Sequence, residues 1–370
     1  MAITFGKSDT ANRTVGVKVD MDEAIKILPI DDVPLQRWLP SDSTSTIKVE
    51  WMEEELAAQT AVITTSGDTD TPWTIVVPDT NVFRAGDILH RQGTTETMTY
   101  LVDSITNSTT MEVSEFGTTD GAVSGNDPVA TETFEIVGQL LAEGADPVDA
   151  RSEDRTAAYN YTQIGQEKVE ASRTARKQAR YAQSDPYDHE VQKKFRELAI
   201  RFERQLVSGV RYQSGNKRAM GGIFYYNTTN SVSGLVTNTK TLVQSLVRTC
   251  WTAGGSPKTL FVSPAVKAAI TANYDASLRR SVRDETTVGF TAERIVTDFG
   301  DVDVIATRYL PPTKGVLLQR EFDIKRVFDG YTHEMLSKTG DADKGQIVGE
   351  FSLEFKNPDA QGVLTLTDAT

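Results

Sequence analysis

The chain has 370 residues, 38% hydrophobic and 25% charged, with a net charge of −13, a profile that fits a globular protein of two or three packed units. Its longest apolar runs, such as 74–78 and 260–262, are of strand length, which excludes a transmembrane helix. A single cysteine, Cys250, excludes an intrachain disulfide and a multi-cysteine zinc cage.

The N-terminus lacks the basic-then-apolar layout of a signal peptide, so the product is expected to stay in the cytoplasm. Charge is unevenly spread. Residues 57–147 hold two basic and fourteen acidic residues, a net of −12, whereas residues 151–220 hold fifteen basic and nine acidic, a net of +6. Such asymmetry points to separate modules with different surroundings.

In chain order, Pro29, Pro34 and Pro40 break the first forty-five residues and predict an extended arm. Ile47, Val49 and Trp51 then alternate with polar residues as in a half-buried strand. Residues 61–147 read as a small all-β module, with strands at 73–77, 87–90, 97–102, 111–113 and 134–137 between turn residues. It enters and leaves near acidic stretches at 53–55 and 143–146, as an insertion into a larger domain would. A basic tract follows, with Arg173, Arg176, Lys177 and Arg180 and no acid among residues 171–184.

A long helix is predicted next. Asp185 suits its cap and Pro186 its first position. Val191, Phe195, Leu198, Phe202, Leu206 and Val210 form one apolar stripe. Glu190/Lys194 and Glu197/Arg201 are favourably spaced ion pairs, and Gly209 and Gly215 mark the end. Beyond Gly221 and Gly222 the pattern is α+β: helices at 242–250 and 264–280, a strand at 259–262, a hairpin from 294–297 to 302–308, and strands at 315–318, 325–328 and 347–355. Cys250 falls in an apolar helical stretch and reads as a buried small residue.

A search for chemistry returns little. The phosphate-loop spacing fails at Gly6-Lys7-Ser8 and again at residues 254–259. There is no Gly-x-Ser-x-Gly elbow and no pair of histidines on one helix face. His90, His189 and His333 share no ligand spacing, and Asp68/Asp70 and Asp301/Asp303 read as solvated turns. The residues predict neither catalysis, metal nor cofactor. The basic tract offers weak, salt-sensitive contact with phosphates or contact with an acidic protein surface.

The order of parts resembles the major capsid (major head) proteins of tailed bacteriophages, in the group that carries a β insertion. The residues that bear the resemblance are PLQRWL at 34–39, IKVEWMEEEL at 47–56, VFRAGDIL at 82–89, MTYLV at 98–102, YNYTQI at 159–164, SRTA at 172–175 and MGGI at 220–223. It implies the α+β Johnson fold, with an N-terminal arm (1–46), an extended loop and first strand (47–60 and 148–185), an all-β insertion (61–147), a spine helix and peripheral domain (186–239, the helix to residue 212), an axial domain (240–315) and further peripheral strands (316–370).

It also implies a structural subunit that self-assembles through hexamers and pentamers into an icosahedral head enclosing double-stranded DNA. Scaffolding, portal and decoration proteins would be partners, and there would be no membrane. Trp51, Arg173, Arg176, Lys177 and Arg180 are the expected subunit-contact residues, the cations meeting acidic residues of a neighbour. Three other readings compete: a same-fold encapsulating compartment around an enzyme cargo, a β-rich tail or fibre protein that binds glycans, and a hydrolase built from scattered carboxylates.

Overall fold

The computed structural model describes residues 33–54, 56–66, 72–92, 99–116, 128–146, 150–151, 155–177, 186–278, 294–338 and 340–368. Two compact units divide the chain: Met52–Ala157 form one, and Met1–Trp51 with Ala158–Thr370 form the other. The first is wider than the expected 61–147 because its flanks bond to its strands. Ile136 N–H donates to Gln59 O at 2.9 Å, the Arg84 guanidinium donates to Ala150 O at 2.9 Å, and Arg155 pairs with Glu54 at 3.0 Å.

That unit is a closed β-barrel. Its strand order runs Thr60–Val62, Thr133–Gln139, Asp87–Gln92, Thr99–Ile105, Thr110–Glu115, Trp73–Val76, Thr65–Ser66. The two ends of that order are neighbours in sequence. One bent segment therefore pairs with Thr133–Gln139 through its first half and with Trp73–Val76 through its second, which closes the sheet on itself. Period-two alternation sends Trp73, Ile75, Leu89, Tyr100, Val102, Met111, Val113 and Phe134 inward. Tyr100 meets Phe134 and Trp73 at centroid distances of 5.0 and 5.9 Å, so side chains fill the lumen.

The other unit carries two main sheets. A four-stranded sheet orders Ser41–Ser43, Asp323–Leu336, Ala342–Phe355 and Gln163–Ser172. Its centre is a long antiparallel hairpin, Asp323–Leu336 with Ala342–Phe355. A six-stranded sheet orders Ser231–Gly234, Gly362–Leu366, Lys314–Leu318, Thr259–Val262, Gly300–Ala306 and Arg294–Thr297, and the helices Thr239–Thr252 and Pro264–Leu278 supply side chains to its core. This pairing differs from the expected division at 315/316. Lys314–Leu318 and Gly362–Leu366 belong with the six-stranded sheet because Leu317, Leu364 and Leu366 complete its core with Val243, Leu246 and Cys250. Only the long hairpin goes to the other sheet.

The predicted long helix spans Pro186–Ser208, 23 residues, or about 34 Å at ~1.5 Å per residue. It stops four residues short of the expected 212. Gly209 N–H still donates to Gln205 O, and Gly222 N–H then donates to Gly209 O, each at 2.8 Å. Leu198, Phe202 and Leu206 are buried, Val191 and Phe195 half-buried, and Val210 lies beyond the helix, exposed. The helix meets the four-stranded sheet over glycines. A Cβ at Gly165 would sit 3.0 Å from Leu198 Cδ2, and one at Gly345 would overlap Tyr187 Oη.

The predicted ion pairs are re-sorted. Glu190 meets Lys193 at 3.9 Å and Lys194 meets Glu197 at 2.6 Å, both three residues apart. Lys194 and Arg201 also turn to Glu167 on the strand Gln163–Ser172, a partner that one-helix spacing does not reveal. Asp185 lies outside the described residues.

The end of the predicted arm is folded. Pro34–Trp38 form a short helix whose Leu35 is buried with Leu39 in a core with Phe202, Leu206 and Phe261. Ser41–Ser43 add a parallel strand to Lys325, Arg326 and Val327. Residues 1–32 lie outside the described residues. Ile47 is exposed, while Val49 and Trp51 are buried as their alternation predicts.

Candidate assembly surfaces

Two of the short segments that carry the family resemblance meet in space. Asn160 is fully buried; its amide donates to Gly221 O at 3.0 Å and Leu353 O at 2.7 Å, and its Oδ1 accepts from Gly221 N–H at 2.9 Å. Gln163 Oε1 accepts from Met220 N–H at 3.1 Å. Arg218 donates to Thr162 O at 3.1 Å and pairs with Glu350, which also accepts from the Thr162 hydroxyl. YNYTQI and MGGI are thus halves of one bonded junction.

Gly221 and Gly222 are glycines there for steric reasons. A Cβ on Gly222 would lie 2.6 Å from Gln205 O, 2.7 Å from Gly209 N and 2.8 Å from Leu206 O. The last turn of the spine helix therefore rests directly on backbone. Beside it Tyr159 is held between two cations, Lys48 and Arg211, each 4.1 Å from the ring centroid. Tyr226 Oη donates to Tyr159 O at 2.8 Å, and burial pushes its phenol well above the ordinary range.

Glu203 on the spine helix has no exposed surface. Its carboxylate accepts from Leu35 N–H at 2.8 Å and Gln36 N–H at 3.0 Å, capping the short N-terminal helix from 167 residues away. Burial lowers the Lys325 amine, with Glu203 opposing that shift. Sequence reasoning assigned Glu203 no role. Its one signal was an acid next to Phe202, on the flank of the apolar stripe.

The expected contact residues are placed as follows. Trp51 is 5% exposed and meets Tyr226 edge-on at 5.8 Å; alternation turns its indole into its own unit. Arg173 and Arg176 are exposed on the turn Arg173–Lys177, yet both have acids within the chain. Arg173 pairs with Asp341 at 2.7 Å, and Arg176 with Asp343. Hydrogen bonds from Lys338 and Arg176 hold the Asp343 carboxyl below the usual range. Lys177 is exposed, and Arg180 lies outside the described residues.

Cys250 is fully buried, and burial pushes its thiol up to about 12. Asp303 is tied to Arg294 at 2.7 Å; Asp68 and Asp70 are outside the described residues. Among the described residues no group of three or more His, Cys, Asp or Glu side chains is placed to hold a metal, and no helix is long and apolar enough to cross a membrane.

A family model described as the SU10 major capsid protein matches residues 4–368. No curated protein sequence matches the chain. Among solved structures, the chain is similar to one from Mycobacterium phage Adephagia, at 10% identity, 99% of each chain covered and a TM-score of 0.49. It is also similar to the capsid of Myoviridae phage XM1, at 8% identity, 94% of this chain and 96% of that one, TM-score 0.49. The SrpI encapsulin complex from Synechococcus elongatus is similar at 12% identity, over 59% of this chain and 79% of that one, TM-score 0.43. With residues 4–368 matched by a single family model, the chain belongs to the SU10 major capsid protein family.

Proposed function

We propose that the chain builds an icosahedral head through hexamers and pentamers with the Johnson fold and encloses double-stranded DNA, without catalysing a reaction. The family match over residues 4–368 carries this reading. The architecture supports it: a one-sided helix of 23 residues backed by a sheet, and a separate barrel carried between Trp51 and Ala158. Closed shells need heterologous contacts between different surfaces of identical copies, and two units of unlike charge supply unlike surfaces.

Scaffolding, portal and decoration proteins are the further partners proposed, with assembly in the host cytoplasm. Among the described residues of the basic tract, Lys177 carries the proposed contact role, because Arg173 and Arg176 already have acids in their own chain. Electron microscopy of the expressed chain, alone and with its scaffold, tests the reading. Closed particles of uniform size are expected; open sheets or tubes under every condition would contradict the closed head.

A further inference from the structure

Just after the spine helix stands a small hairpin, Tyr212–Ser214 paired with Lys217–Ala219. Its two faces differ. The inward face carries Arg211, whose guanidinium donates to Tyr159 O at 2.9 Å, and Arg218, bonded to Thr162 and Glu350. The outward face carries Tyr212, 57% exposed, with Val210 just ahead of it at 64%, and the exposed Lys217 opposite Ser214. This is an anchored platform with an apolar, cationic outer face.

The barrel has the complementary chemistry. Met52–Ala157 hold twenty acidic residues, four arginines and no lysine, a net of −16, which leaves +3 for the rest of a chain whose total is −13. All four arginines are engaged inside that unit: Arg84 with Asn81 O at 2.7 Å, Arg91 with Glu132, Arg151 with Asp87 and Arg155 with Glu54. A bulge opposite Ile88 and Leu89 leaves Val137 unpaired on its strand and turns it outward. Val137, Leu140 and Leu141 are 65%, 48% and 50% exposed, followed at once by the exposed Glu143 and Asp146.

We propose that the outward face of the Tyr212–Ala219 hairpin receives the barrel edge of a second copy, with Val210 and Tyr212 against Val137, Leu140 and Leu141, and Lys217 against Glu143 and Asp146. The proposal rests on the shell reading above. Charge complementarity selects the occupant. A like-charged barrel against barrel is repelled, whereas the hairpin offers the barrel an opposite charge and a matching apolar strip.

The test uses the full chain. Lys217→Glu is expected to lower the assembled fraction about tenfold at fixed concentration without changing Tm, and adding Glu143→Lys with Asp146→Lys is expected to restore it, as coupled sites do. Independently, a Tyr212→Cys/Leu140→Cys chain is expected to form disulfide-linked dimers and ladders when it assembles, above the background of buried Cys250. Wild-type assembly by Lys217→Glu, or particles without cross-linked chains, would overturn the contact and leave the shell intact. A wild-type chain that never assembles would overturn the shell reading and this contact with it.

Discussion

At the residue scale, the buried side chain with most leverage is Asp323. It has no exposed surface, accepts from Gln361 Nε2 at 3.0 Å, and its Oδ2 has no hydrogen-bond partner among the described residues. Asp323 opens the long hairpin and Gln361 directly precedes the strand Gly362–Leu366, so the pair ties one sheet to the other. Burial raises the carboxyl well above its ordinary value. A raised folded-state pKa means the folded protein binds the proton more tightly than the unfolded chain does. Stability is therefore greatest below the unfolded carboxyl value and falls as pH rises toward the folded one. Asp323→Asn keeps an acceptor for Gln361 and removes this dependence. Thermal melts at several pH values should show Asp323→Asn flatter with pH and higher-melting at pH 8, by about 2–4 °C per kcal/mol relieved. A lower melt at pH 8 with an unchanged pH slope would contradict this. No sequence pattern announced Asp323, because its partner is 38 residues away across a sheet junction.

At the element scale, the stop of the spine helix is set by backbone contact. Gly222→Ala should destabilise by about 1–3 kcal/mol, since its Cβ would meet three backbone atoms that overpacking must displace. Gly330→Ala, with nothing within 4 Å of its Cβ, should change little; chemical denaturation of both variants gives the comparison, and equal effects would remove the argument. The helix itself was legible from the spacing of Leu198, Phe202 and Leu206. Its end was placed late because Val210 continues the apolar period, and only the meeting of Gly209 with Gly222 shows where the chain turns. The salt bridges were partly illegible for a related reason. Lys194 and Arg201 meet Glu167 on another element, where one-helix spacing rules have no reach. Likewise the basic tract was plain in the sequence, while Asp341 and Asp343 lie 167 or 168 residues further on.

At the scale of the whole molecule, two units with separate cores should respond separately to damage. Phe134 is fully buried in the barrel, and Phe134→Ala should cost about 3–5 kcal/mol there. Hydrogen exchange should rise across the strands of Met52–Ala157 while amides of the helix Thr239–Thr252 keep their protection. Equal loss in both would mean one cooperative unit. The barrel's strands were visible as alternating runs between turns. Its closure was not, because it depends on one bent segment pairing to two distant strands.

The most direct test of the central claim is sedimentation velocity of the purified chain as its concentration is raised. A shell subunit predicts a cooperative passage from a 40.6 kDa species to one large, narrow boundary with little between them. A folded chain that sediments as a monomer at every concentration, with or without its scaffold, would contradict it.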